Sequence, residues 1–119
     1  PAEAEHVATK VDSREYEVEF FNKTTQEKYE IEINLGTEAV TEVKTKVVNN
    51  RGSRIQNLDE IAAQNIVLRE FPGASIRRVK LENDNGLLKY EVKFIAGSLR
   101  GEMEINPETG VIIERKVKY

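Results

Sequence analysis

Residues Glu15-Tyr16-Glu17-Val18-Glu19-Phe20 alternate acid and apolar without a break. A period of two puts the apolar side chains on one face of a pleated strand and the carboxylates on the other. The alternation returns in Tyr29-Glu30-Ile31-Glu32-Ile33, in Lys89-Tyr90-Glu91-Val92-Lys93-Phe94 and in Glu102-Met103-Glu104-Ile105. Strands with one charged face belong to antiparallel sheets, because fully buried parallel strands carry no alternating charges. Residues 76–82 and 88–94 flank Asn83-Asp84-Asn85-Gly86, and Asn-Gly favours the positive φ angles of a tight hairpin. Pro107-Glu108-Thr109-Gly110 reads as a turn into Val111-Ile112-Ile113, and residues 39–47 form a looser strand pattern.

One segment has helical spacing. Asn57 with Glu60 three residues later predicts a capping-box start, and Leu58, Ile61, Ala62, Ala63, Ile66, Val67 and Phe71 follow on one stripe. Pro72-Gly73 stops it, since proline cannot continue the hydrogen-bond ladder. The expected class is therefore α+β: antiparallel sheet, continuous or split in two, with at least one helix packed on a face.

The chain has 119 residues, 39% hydrophobic and 33% charged, which suits one domain or two very small ones. No run approaches the ~18 apolar residues of a membrane-spanning helix. With no cysteine there is no disulfide, thiolate nucleophile or cysteine-based metal site, and a single histidine, His6, excludes a multi-histidine zinc site. Residues 1–50 hold six basic and eleven acidic side chains, and residues 51–119 hold twelve and ten, so neither half has the charge of a nucleic-acid surface. Arg115-Lys116-Val117-Lys118 reads as the exposed side of a last strand.

The search for chemistry returns no site. The rows Glu15/Glu17/Glu19 and Glu30/Glu32 read as a solvated face rather than a metal site, and residues 82–86 lack the distal glutamate of a calcium loop. The strands aim the acids outward, so no carboxylate pair has the burial that general acid–base work needs. Gly97 and Gly101 precede no helix that could present amides to a phosphate. Asn22-Lys23-Thr24 formally fits a glycosylation sequon in a hairpin loop. No catalytic, metal or cofactor residue is expected.

The chain also matches itself. Tyr16-Glu17-Val18-Glu19-Phe20-Phe21 aligns with Tyr90-Glu91-Val92-Lys93-Phe94-Ile95, and Glu30-Ile31-Glu32-Ile33-Asn34 with Glu102-Met103-Glu104-Ile105-Asn106. Thr37 then falls on Thr109. Asn34/Asn106 and Thr37/Thr109 lie outside the alternation, so strand patterning alone does not account for them.

The second copy resembles the PepSY domain, on Ile61-Ala62-Ala63-Gln64-Asn65-Ile66, Phe71-Pro72-Gly73-Ala74, Val79-Lys80-Leu81-Glu82, residues 86–92, and Asn106-Pro107-Glu108-Thr109-Gly110-Val111-Ile112. The family's ending is close to Asp-x-x-Thr-Gly-x-Val/Ile, so Asn106 departs at its first position. The organisation expected is a divergent PepSY-like repeat over residues 5–47, a linker over 48–56 and a PepSY-like repeat over 57–119. The resemblance implies a non-enzymatic extracytoplasmic binding module that restrains or inhibits a peptidase by occluding its surface. The alternative is a structural or dimerisation module within a larger cell-surface protein.

The first copy has no helix ahead of its strands. Tyr16, Val18, Phe20, Tyr29, Ile31 and Ile33 form an apolar face whose burial is worth about 9–18 kcal/mol, comparable to a domain's net stability of about 5–15 kcal/mol. These six are the candidate partner-binding residues. Their cover is a helix lost with the N-terminus, a helix and linker shared between the copies, or another protein surface. Pro1, in place of an initiator Met, predicts a trimmed or processed chain, and a preceding helix, signal peptide or anchor are the segments that could have been removed.

Overall fold

The alternating segments all form strands. The computed structural model describes residues 4–11 and 14–119. The strands are β1 (Ala4–Val11), β2 (Glu15–Asn22), β3 (Glu27–Asn34), β4 (Val40–Val47), β5 (Ser75–Asp84), β6 (Leu87–Ala96), β7 (Leu99–Ile105) and β8 (Ile112–Lys118), with one helix, α1 (Glu60–Glu70), between β4 and β5. They join into one continuous antiparallel sheet in the order β1-β2-β3-β4-β8-β7-β6-β5. Two four-stranded meanders thus meet through β4 and β8, with Val43 opposite Val117 and Thr45 opposite Arg115.

Register carries the period-two pattern across the whole sheet. Tyr90 faces Ile105 and Val92 faces Met103 between β6 and β7, while Glu91 faces Glu104 and Lys93 faces Glu102 on the other side. The sheet therefore has one apolar and one charged face. On the apolar face, α1 packs against β5 and β6. Ala63, Ile66 and Val67 meet Tyr90, Val92, Phe94, Met103 and Ile105 in the buried core. Arg115 reaches up from β8 to pair with Glu70 at the helix end.

Several expectations need correction. The helix begins two residues later than the Asn57 reading: Asp59 is the N-cap, and its carboxylate accepts from Ala62 N at 2.8 Å. The amides of Asn57 and Leu58 instead donate to Pro107 O, tying the lead-in segment to the β7–β8 turn. Val111, just ahead of β8, is exposed. β1 is an additional strand whose period is broken by a bulge between His6 and Ala8, which hid it from a search for alternation. Residues 48–59 are pinned by a bridge between Ser53 and Leu88. The Asn85-Gly86 hairpin forms as expected, with both residues at positive φ. Pro1 lies outside the described residues.

The β3–β4 and β7–β8 turns share one hydrogen-bond pattern. Asn34 Oδ1 accepts from Gly36 N and Thr37 N, and Thr37 Oγ1 accepts from Ala39 N. Asn106 Oδ1 accepts from Glu108 N and Thr109 N, and Thr109 Oγ1 accepts from Val111 N. The backbone bonds Asn34 N to Ala39 O and Asn106 N to Val111 O also correspond. Asn106 differs in also donating through Nδ2 to Asn50 Oδ1 at 3.0 Å, a bond that an aspartate in its place could not donate.

Candidate functional site

The six candidate residues form three cross-strand pairs on one face: Tyr16 with Ile33, Val18 with Ile31, and Phe20 with Tyr29. Register extends the face to Val11 and Thr9 on β1 and to Val43 and Thr45 on β4. His6 stands edge-on to Phe20, ring centroids 5.7 Å apart, with Nε2 2.6 Å from Thr9 Oγ1. Burial and the neighbouring Glu27 carboxylate push the Tyr29 phenol above its ordinary value.

This face is continuous with the one beneath α1 but differs in cover. Tyr90, Val92, Phe94, Met103 and Ile105 are at most 2% exposed. Tyr16, Val18, Phe20, Tyr29, Ile31 and Ile33 are all only half-buried. The shared-helix expectation fails, because α1 packs on β5 and β6 and has no comparable packing on β1–β4. The Tyr90 hydroxyl donates to Leu58 O at 2.9 Å and lies 2.7 Å from Gln56 Nε2, fastening the segment before the helix. Tyr16, at the matching place, has no such hydrogen bond among the described residues.

The opposite face is a lattice of ion pairs. Lys28 reaches Glu30 at 3.1 Å and Glu19 at 3.7 Å, and Lys44 bridges Glu30 and Glu114. Glu17, Glu19 and Glu30 bring carboxylate oxygens within 4.8 Å of one another, the densest acidic group among the described residues. Lys28 pairs with two of the three, Glu19 and Glu30. Asn22 of the sequon is buried, with Oδ1 holding Thr24 N and Thr25 N, which makes it a poor glycan acceptor. Among the described residues no helix is long and apolar enough to cross a membrane.

Comparison with known proteins places a family on the second half. Residues 60–116 match the PepSY family model, described as peptidase propeptide and YPEB domain. No curated protein matches the chain. Among solved structures, a "putative lipoprotein" from Clostridium difficile 630 is similar, at 17% identity and a TM-score of 0.48, over 98% of this chain and 84% of that one. The matched segment contains α1, β5–β7 and most of β8, and with them the buried core beneath the helix.

Proposed function

We propose that the chain is a non-enzymatic, extracytoplasmic binding module that restrains a peptidase by occluding its surface, and that the apolar face of β1–β4 is where the partner docks. The PepSY match over residues 60–116 supports the peptidase-regulatory class and the extracytoplasmic setting. One observation carries the docking surface. The face built from Tyr16, Val18, Phe20, Tyr29, Ile31 and Ile33 continues the face that α1 covers in the other half, yet is only half-buried. Residues 5–47 and 57–119 are proposed as two PepSY-like repeats joined by 48–56, and the matching Asn34 and Asn106 turns support that division.

The occupant is a folded protein larger than the face itself. Four strands of eight residues, about 4.8 Å apart, present a flat area of about 500 Å². Two copies meeting through this face alone would bury about 1,000 Å², below the roughly 1,200–2,000 Å² of stable interfaces. A peptidase surface can extend onto the sheet edge and the β1 bulge as well. The test is a panel of secreted metallopeptidases assayed for rate and binding with the purified protein. Saturable inhibition by at least one member is expected. A panel with neither inhibition nor binding, or a stable dimer in sedimentation that buries Val18, overturns the reading.

A further inference from the structure

A cleft of about 320 Å³ opens at the far end of β6–β8, lined by Arg77, Lys93, Ile95, Arg100, Glu102, Lys116 and Lys118 together with Phe94 and Gly101. Five of these side chains are cationic and one is a carboxylate, in a chain of net charge −3. Three lysines share the acids nearby: Lys93 and Lys116 meet Glu102 at 3.5 and 3.6 Å, and Lys116 and Lys118 both meet Glu42 at 3.9 Å. Arg77 and Arg100 have no carboxylate within ion-pair distance among the described residues. We infer that this cleft binds a small organic anion, a carboxylate or phosphate on a short apolar body.

Three observations carry the inference. First, Arg77 is the extra residue of the β5 bulge, between the pairs Ile76 with Phe94 and Arg78 with Lys93. A bulge re-aims a side chain that regular pleating would place elsewhere, and here the residue it displaces lines the cleft. Second, the other half provides an internal control. Its matching bulge carries Val7, and Glu19 stands where the repeat alignment places Lys93, so two of the cleft's five cations have no counterpart there. The cationic excess therefore comes from side chains chosen on one half, not from strand architecture. Third, Ile95 lies among the cations opposite Arg100, offering an apolar contact beside two guanidinium forks suited to oxyanions.

Size and field narrow the ligand. The volume sits at the small end of the roughly 300–1,000 Å³ range of ligand sites. An overall negative protein repels long polyanions at a distance, while a short anion feels mainly the local cations. The experiment is an amide chemical-shift titration at fixed ionic strength with hexanoate, hexyl phosphate and inorganic phosphate. Saturable shifts at Arg77, Ile95, Arg100 and Gly101 are expected, with a hexyl probe binding more tightly than inorganic phosphate. The tighter of the two hexyl probes distinguishes carboxylate from phosphate. Replacing both guanidiniums in Arg77→Gln/Arg100→Gln should weaken binding by about tenfold or more, while Lys46→Gln on the same charged face should leave it unchanged. Shifts that never saturate, that spread evenly over the lysines, or that survive the double substitution overturn the inference. The outcome is independent of whether a peptidase binds the opposite face.

Discussion

The Phe94 ring lies directly over Gly101 on the neighbouring strand, so close that a Cβ on residue 101 would stand inside the ring's van der Waals envelope. Glycine lets the ring lie across β7 and meet Phe71, whose ring centroid is 4.8 Å away at the end of α1. In the other half the corresponding pair is Phe20 opposite Tyr29. There a tyrosine stands in place of the glycine, and Phe20 remains half-buried.

Gly101→Ala should therefore be costly despite adding one methyl group. The ring is 2% exposed and must shift for the methyl to fit. Overpacking of this kind costs about 1–3 kcal/mol. A denaturant melt should show a lower midpoint, while Gly97→Ala, at a turn with nothing near its Cβ position but φ of 62°, tests backbone strain alone.

The two asparagine turns give a paired prediction. Asn106 is buried and makes the extra bond to Asn50, whereas Asn34 is half-buried and has no such tie. Asn106→Ala leaves two turn amides without their acceptor, removes one of the two donors to Asn50 Oδ1 and should cost about 2–3 kcal/mol. Asn34→Ala should cost about 1 kcal/mol or less, because water reaches the same amides. Equal losses in parallel thermal melts would contradict this ranking.

Capping offers a local check on α1. Asp59→Ala removes the acceptor of Ala62 N and should cost about 1 kcal/mol. Asn57→Ala should cost less, since Asn57 is fixed through its backbone amide to Pro107 O. Urea midpoints of the two variants distinguish the caps.

Much of this was legible in the residues. The strict alternation in β2, β3, β6 and β7 marked both faces of the sheet, and Pro72-Gly73 marked the end of α1. The twin turns were signalled by Asn34/Asn106 and Thr37/Thr109. β1 was not legible, because its bulge breaks the period at Val7 and its exposed Val7 and Val11 give no clear face. The N-cap was missed because Asn57 and Asp59 both fit a capping residue, and the choice depends on the pull of Pro107 O, a contact distant in sequence. The six apolar candidates could be named from sequence, but their half-exposure depended on where α1 packs. The cationic cleft was hidden because Arg77, Arg100 and Lys118 converge only through sheet register.

Glu32 sets a pH dependence. It stands opposite Glu17 on β2 and Glu42 on β4. Burial, then the Glu42, Glu15 and Glu17 carboxylates, push its carboxyl above the ordinary value. A carboxyl raised in the fold takes a proton more readily folded than unfolded. Its penalty is thus full at pH 7, falls as pH drops through the raised value, and vanishes below the unfolded value of about 4.3. Glu32→Gln should be more stable than wild type at pH 7 by about 0.2–1 kcal/mol, and the two should converge near pH 4. Melts at the two pH values check the sign, and a variant less stable at pH 7 would refute it.

Binding by Val18→Asp decides the account most directly. Val18 lies in the middle of the half-exposed face, and Val92 is its fully buried counterpart beneath α1. Val92→Asp should abolish folding, because an unpaired charge would enter the core. Val18→Asp should retain the native circular dichroism and a cooperative melt, yet lose at least about tenfold in affinity for the peptidase that the wild type binds. A Val18→Asp protein that binds undiminished, or that unfolds as Val92→Asp does, would contradict the assignment of this face as a docking surface.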